Sequence, residues 1–252
     1  MWFSKKRNRK LKSASMTQDK KLLLTMTGEV FHPTRLSYQV SDQDALLRIF
    51  RRLNCVEYDK TYSRWVWLYQ GEAKALKFSQ TPMSLPKGSG PIVLGSFFLK
   101  SNNEVHLDVR SFDRATKAVV FFDRYLPRKV VRVKDIAIVN ACFEYTTKVP
   151  TNFDAFFETD RVKQQKPQAV LEALEPLQAI ADVQERRARM SSHMTGMMKA
   201  RLPDVERFPT HYYKDGIQSL ELALRTREIV SLEHWKGNER FSMFDVIGSL
   251  VR

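Results

Sequence analysis

Cysteine is nearly missing from the chain. Cys55 and Cys142 are its two thiols in 252 residues. They stand far apart and form no Cys-x-x-Cys pair, which excludes a disulfide framework and a zinc knuckle and fits reduced thiols in a cytosolic protein. Glycine-rich phosphate loops of the Gly-x-Gly-x-x-Gly or Gly-x-x-x-x-Gly-Lys-Ser/Thr kind are absent, and so is a Gly-x-Ser-x-Gly elbow. Nucleotide-dependent catalysis and serine-hydrolase chemistry are thereby disfavoured, and no cofactor is indicated. Apolar runs fall far short of the roughly 20 residues a membrane helix needs. No apolar stretch of signal-peptide length follows the N-terminus, so a cytoplasmic location is expected. The 9 glycines and 10 prolines are too few for long disordered linkers.

Acidic residues are also short. Lys and Arg number 42 against 28 Asp and Glu, a formal charge of +14. That excess favours polyanionic partners. Half of it lies in residues 1–21, where Lys5, Lys6, Arg7, Arg9, Lys10, Lys12, Lys20 and Lys21 face Asp19 alone. A start at Met16 would remove six of these charges. The stretch reads either as a solvated, disordered tail or as an arm that holds nucleic acid.

The sharpest patterning lies in Pro91–Tyr145. Ile92–Lys100 is continuously apolar, Ser101-Asn102-Asn103 is turn chemistry, and Glu104–Arg110 alternates with Val105, Leu107 and Val109 on one face. Ser111 is placed as a helix cap, and Ala115, Ala118, Val119, Phe122 and Leu126 form one helical stripe that Pro127 stops. Strands over Lys129–Val133 and Ile136–Glu144 follow. An earlier stretch repeats the pattern. Leu36, Tyr38 and Val40 alternate, and Ser41 is positioned to cap a helix with Ala45, Leu46, Ile49, Phe50 and Leu53 on one side. Strands at Val56–Asp59 and Arg64–Tyr69 come next. Two such β-α-β units suggest a duplicated, ferredoxin-like arrangement, an antiparallel sheet with helices on one face. Residues 21–27 read as an edge strand and 80–91 as a loop. Beyond Pro150 helical patterns take over. The expected organisation is a basic tail over 1–20, an α+β sheet domain over 21–150 and a helical C-terminal region over 151–252.

Three residue sets bear on function. Arg64, Trp65 and Trp67 share a strand, where aromatic rings either stack bases or fill a core. Arg128, Lys129, Arg132 and Lys134 follow the second helix as candidate phosphate contacts, and Arg48, Arg51 and Arg52 would join them if the repeats share a face. Glu104, His106 and Asp108 project two apart from one strand, either as a divalent-metal set with Asp113 or Asp123 or as the wet side of a half-buried strand. Leu94–Lys100 resembles the aromatic strand of the RNA-recognition motif in Gly95, Phe97 and Phe98. It lacks the basic residue before the glycine, where Leu94 stands, and the resemblance assigns no site.

The balance of these readings is a non-enzymatic nucleic-acid-binding protein, for RNA or single-stranded DNA. One alternative is an assembly factor that meets a protein partner through the methionine-bearing 186–201 helix and Phe153–Phe157. The other is a metal-dependent nuclease.

Overall fold

The computed structural model describes residues 20–78, 90–150, 152–157, 162–165 and 167–250. Nearly all of the basic tail and of the 80–91 loop therefore lies outside the described residues. The elements run β1 (Thr34–Val40), α1 (Gln43–Phe50), β2 (Val56–Asp59), β3 (Arg64–Leu68), β4 (Val93–Leu99), β5 (Glu104–Val109), α2 (Phe112–Tyr125) and β6 (Val131–Val139). A 3-10 turn at Phe153–Phe156 leads to β7 (Val162–Gln164), α3 (Pro167–Gln178), α4 (Val183–Lys199), β8 (Val205–Pro209), α5 (Tyr212–Asp215), α6 (Ile217–Trp235) and α7 (Met243–Leu250). All eight strands join one sheet in the order β2-β3-β4-β5-β1-β6-β8-β7. Every pair is antiparallel except β7 with β8. The class is α+β.

Alternation decides which way each strand faces. Leu36, Tyr38 and Val40 of β1, Val105, Leu107 and Val109 of β5, and Trp65 and Trp67 of β3 belong to one core with Leu46 and Phe50 of α1, Phe122 of α2 and Leu220 and Leu224 of α6. Arg35, Ser37, His106 and Asp108 alternate with these residues and lie on the opposite face, because successive side chains of a strand point to opposite sides. Gly95 keeps two strands close on the core side: a Cβ there would stand 2.8 Å from Leu107 and 2.9 Å from Val109.

The helix starts follow capping chemistry, with one change of residue. Ser111 caps α2 as expected, accepting from the Arg114 N–H at 3.1 Å. At α1 the cap is Asp42, which accepts from the Ala45 N–H at 2.8 Å. Ser41 instead donates to the Lys129 carbonyl at 2.6 Å, tying the start of α1 to the approach to β6.

Three expectations take a different form. The two β-α-β units occupy unlike places: β5 and β6 bracket β1 alone, whereas β1 and β2 are separated by three strands. Residues 21–27 form isolated bridges, Leu22 with Glu144 and Leu24 with Val30, around a turn. The C-terminal stretch is mixed, since β8 and β7 extend the sheet beyond β6. Strand β8 adds there because Phe208 faces the main core while Glu206 reaches Arg227 on α6.

His32 lies just ahead of β1 and is fully buried. Its ring stacks on Phe112 at 4.3 Å. Its Nδ1 lies 3.1 Å from the Val139 carbonyl and must donate, since the carbonyl only accepts, and Nε2 has no partner. Burial therefore holds the imidazole neutral and depresses its pKa to about 4. The unfolded chain protonates His32 near pH 6.5, above the folded protein, so its contribution to stability is whole above pH 6.5 and is lost as pH falls toward 4. Urea midpoints should fall across that window, and His32→Gln should flatten the fall; an equally steep profile in the variant would show that His32 is not responsible.

Candidate nucleic-acid interface

Strand directions gather scattered sequence positions at one end of the sheet. The Val40 N–H donates to the Asn103 carbonyl and the Ser41 N–H to the Val130 carbonyl, both at 2.8 Å, and the Thr210 N–H reaches the Lys134 carbonyl at 3.2 Å. The end of β1, the β4–β5 turn, the start of β6 and the end of β8 therefore adjoin. Trp65 pairs with Phe97, which sets the Lys60–Ser63 turn beside the Leu99–Lys100 end of β4. Lys60, Arg64, Lys100, Lys129, Arg132, Lys134 and Lys214 share this end. From β3 to β6 is four inter-strand spacings, about 19 Å.

Arg64 is on the face away from the helices. It donates through Nε to Asp59 at 3.1 Å and through Nη1 to Ser96 at 3.2 Å. Its guanidinium lies 4.9 Å from the ring centre of Tyr62, a residue 67% exposed. By register, Arg64 stands in one row with Phe98 and His106, and Phe98 is half-buried on that face.

The second cluster is built on tyrosines from α5. Arg128 and Arg132 lie 5.2 and 4.6 Å from the Tyr213 ring. Tyr213 is fixed because its hydroxyl accepts from the Val133 N–H at 2.9 Å. Arg128 also donates twice to Asp123, at 2.9 and 2.7 Å, and the Tyr212 hydroxyl donates to the same carboxylate at 3.0 Å. The Arg128 hydrogen bonds, followed by that from Tyr212, hold the Asp123 pKa below the usual carboxylate range despite partial burial. Arg128 is thus partly neutralised and positions Tyr213. Lys129 and Arg132 are exposed. Lys134 sits at the irregularity between β1 and β6, is 59% exposed, and has its ammonium 3.7 Å from Glu104.

Trp65 and Trp67 lie elsewhere, on the helix face, with exposures of 8% and 0%. Trp65 meets Phe50 at 5.5 Å and Tyr58 at 5.2 Å, and Trp67 meets Phe122 at 5.1 Å. Enclosed rings offer no face to a base, which corrects the expected stacking role of both tryptophans. The accessible aromatics on the β2–β3 edge are Tyr58 and Tyr62.

Arg51 and Arg52 do not join the basic end. The start of α1 lies there, and eight residues of helix carry its C-terminus about 12 Å away.

The acids expected to hold a metal are engaged with cations. Arg35 grips Asp108 in a two-pronged pair at 2.6 and 2.8 Å, beneath the surface. Glu104 faces Lys134 and lies 3.6 Å from His106 Nε2. Burial first, and then Arg35, depress the His106 pKa to about 4, so its ring is neutral at pH 7. Asp113 pairs with Lys117, and Asp123 with Arg128, both on α2. Among the described residues no three His, Cys, Asp or Glu side chains converge as a metal site.

Arg35, Tyr212 and Tyr213 carry no functional signal in the sequence, and Phe98 enters there only through the resemblance of Leu94–Lys100, which assigns it no site. The alternation of β1 marks Arg35 as polar-face, yet its partner Asp108 is 73 positions away. Tyr212 and Tyr213 stand in a short stretch between a strand and a long helix, with no pattern that points them at Arg128. Compared with known protein families, curated proteins and solved structures, the chain matches none.

Trp67→Ala should behave as a core deletion and lower unfolding stability by about 3–5 kcal/mol. Tyr62→Ala, at an exposed turn, should shift it by less than about 0.5 kcal/mol. Denaturant titration of both variants measures the contrast, and equal small shifts would place Trp67 outside the core.

Proposed function

We propose that the protein binds single-stranded nucleic acid, RNA or single-stranded DNA, along the basic end of the sheet and is not an enzyme. One observation carries this reading: cations from four separate sequence regions, around residues 60–64, 100, 128–134 and 214, line that end of the sheet, with Tyr62 near β3 and Tyr213 beside β6, about 19 Å apart. Such an arrangement suits a flexible strand, whose phosphates take Lys and Arg while its unstacked bases rest on aromatic or guanidinium planes. In this reading Arg64, Lys129, Arg132 and Lys134 take phosphates, Arg128 holds Tyr213 in place, and Phe98 meets a base on the open face.

The order β6-β1-β5-β4, with α1 following β1 and α2 following β5, supports a ferredoxin-like core in this region. The β2–β3 hairpin would then be an insertion at one edge and β8–β7 an addition at the other. A second reading, an assembly surface, is favoured by α4. This 17-residue helix has no buried residue and exposes Met194 and Met197, whose flexible side chains suit partner surfaces.

Anisotropy titrations of a labelled 20-nucleotide single strand against salt test the main reading. Affinity should fall steeply with salt as counterions are released. The triple variant Lys129→Ala/Arg132→Ala/Lys134→Ala should lower the log–log slope by about 2–3 while folding normally. Phe98→Ala should weaken binding by about 1–3 kcal/mol. An unchanged slope in the triple variant would overturn the assignment, as would complete loss of binding on deleting residues 1–19 alone.

A further inference from the structure

The hairpin of α3 and α4 contributes to none of the hydrophobic cores of the described residues. Val170, Leu174 and Leu177 form the inner stripe of α3 and are only half-buried, and α4 has no buried residue. Along α4, Val183, Arg187, Met190, Met194 and Met197 recur at alternating intervals of four and three. That heptad spacing lines side chains up on one face of a helix, where they meet a facing helix. Helices α3 and α7 both lie against α4. They nevertheless leave Val183 61%, Met194 41% and Met197 39% exposed. A helix of a globular protein ordinarily buries such a stripe, and an apolar stripe left open marks an interaction surface.

The charges at this stripe have one sign. Arg187 stands within it and Arg201 just beyond the helix, and both are exposed. Arg186 flanks it and donates to the Ile180 carbonyl at 3.1 Å. The one acid of α4, Glu185, falls on the opposite face and pairs with Arg189 at 3.0 Å. Asp182 is occupied as the helix cap, accepting from the Glu185 N–H at 2.7 Å. On α3, Glu172 and Glu175 lie away from the half-buried stripe by helical spacing, and on α7 Asp245 is held by the Ser242 N–H and hydroxyl. Opposite charge must therefore come from whatever covers α4. A second copy of the chain would bring Arg187 and Arg201 again and set like charges together. Helix α4 has no Phe, Tyr or Trp to stack a base or sit at a lipid interface. A helix with apolar residues in the same spacing and carboxylates beside them satisfies both the packing and the charge.

We propose that α4 docks an acidic amphipathic helix of a partner protein. The apolar stripe of that helix packs on Val183, Met190, Met194 and Met197, and its carboxylates meet Arg187 and Arg201. The 17 residues of α4 span about 26 Å, so the docked segment is a helix of two to three heptads. Methionine side chains adapt to the knobs of a facing helix, while the arginines fix the sign of the partner. This inference names the partner class for the assembly reading of α4 and rests on that reading. It does not depend on strand binding, because none of these residues belongs to the basic cluster at the sheet end.

Fluorescence anisotropy of a labelled three-heptad peptide helix, with leucine at its a and d positions and glutamate at e and g, titrated with the full chain, tests the assignment. The glutamate probe should bind, and the same helix with lysine in place of glutamate at least about tenfold more weakly. Met194→Ser/Met197→Ser, at exposed positions, should weaken the glutamate probe by about tenfold or more while keeping the unfolding transition. Arg187→Glu/Arg201→Glu should reverse the preference toward the lysine probe, which a loss of packing alone would not do. The triple variant at Lys129, Arg132 and Lys134 should bind the glutamate probe like the parent, which separates this surface from the strand-binding one. Equal affinity for the two probes, lost together in the methionine variant, would overturn the acidic partner and leave the assembly surface standing. No binding of either probe, or full affinity in the methionine variant, would overturn both. A dimer of the free chain that the methionine variant dissociates would assign the stripe to a second copy, and flotation with phosphatidylserine vesicles that the same variant abolishes would assign it to a membrane; either would overturn the proposal.

Discussion

Three buried arginine–carboxylate pairs hold the added segments of this protein to its central sheet. Arg114 on α2 donates to Glu29 at 3.2 Å, to the Thr27 hydroxyl at 2.6 Å and to the Val93 carbonyl at 3.0 Å, so one guanidinium joins the N-terminal turn to α2 and β4. Arg35 on β1 grips Asp108 and reaches Asp154 at 2.8 Å, which brings the Phe153–Phe156 turn onto the sheet. Arg227 on α6 donates to Glu206 at 2.7 and 3.2 Å, and Glu206 also accepts from Asn140 and Gln165. Replacing such pairs with apolar groups is often neutral, so their net contribution to stability is small. Their effect is on placement, because either partner left alone in the interior costs about 3–5 kcal/mol. Each appended segment has one position in which its charge is met. Glu29 shows the balance: burial opposes its ionisation, yet Arg114 and the Thr25 and Thr27 hydroxyls keep its pKa below the usual carboxylate value.

The same pairs account for the two unlike faces of the sheet. The helix side is apolar and aromatic, with Trp67, Phe97 and Phe122 at its centre. The other side carries Arg35, Asp108, His106, Ser37 and Asp135 inward of the surface, because the Phe153–Phe157 segment covers part of it and Arg35 lies 5.1 Å from the Phe157 ring. A buried charge can remain there only because Asp108 and Asp154 meet it. Cations without such partners are driven to the strand ends, where turns are short and solvent is close. Lys60, Lys100, Lys129, Arg132 and Lys134 collect at one of these ends because the antiparallel order of β3, β4, β5, β1 and β6 places their terminal residues side by side.

Local features of the fold were legible because they depend on near neighbours. Alternation in β1 and β5, the Ser111 cap and the Pro127 stop all act within a few residues, and each is found where the pattern predicts it. The α1 cap was misplaced by one residue because Ser41 and Asp42 both suit the role; only the distant Lys129 carbonyl draws Ser41 away. Strand β8 was hidden because its five residues include Pro209 and Glu206, and its place depends on Arg227, 21 positions later. The tryptophans illustrate the limit for sites. On β3 both alternating sets, Trp65 and Trp67 against Val66 and Leu68, are apolar, so periodicity alone could not say which set faces the helices. All four side chains are in fact buried.

The two ends of the sheet therefore present different chemistry for one topological reason. At the end where β6 begins, the chain emerges from α2 through Pro127-Arg128-Lys129, and Tyr212 and Tyr213, which follow β8, lie against Asp123, Arg128 and Arg132. At the end where β6 finishes, the chain turns through Asn140 against the Pro203 carbonyl, and the carbonyl-bearing terminus of α6 closes over it. A surface ordered by exposed cations selects for charge and tolerates many sequences. Strand β6 spans both ends. The Arg227–Glu206–Asn140 network beside its far end joins α6, β8 and the end of β6 through buried hydrogen bonds, so the position of that end depends on charges met across three elements.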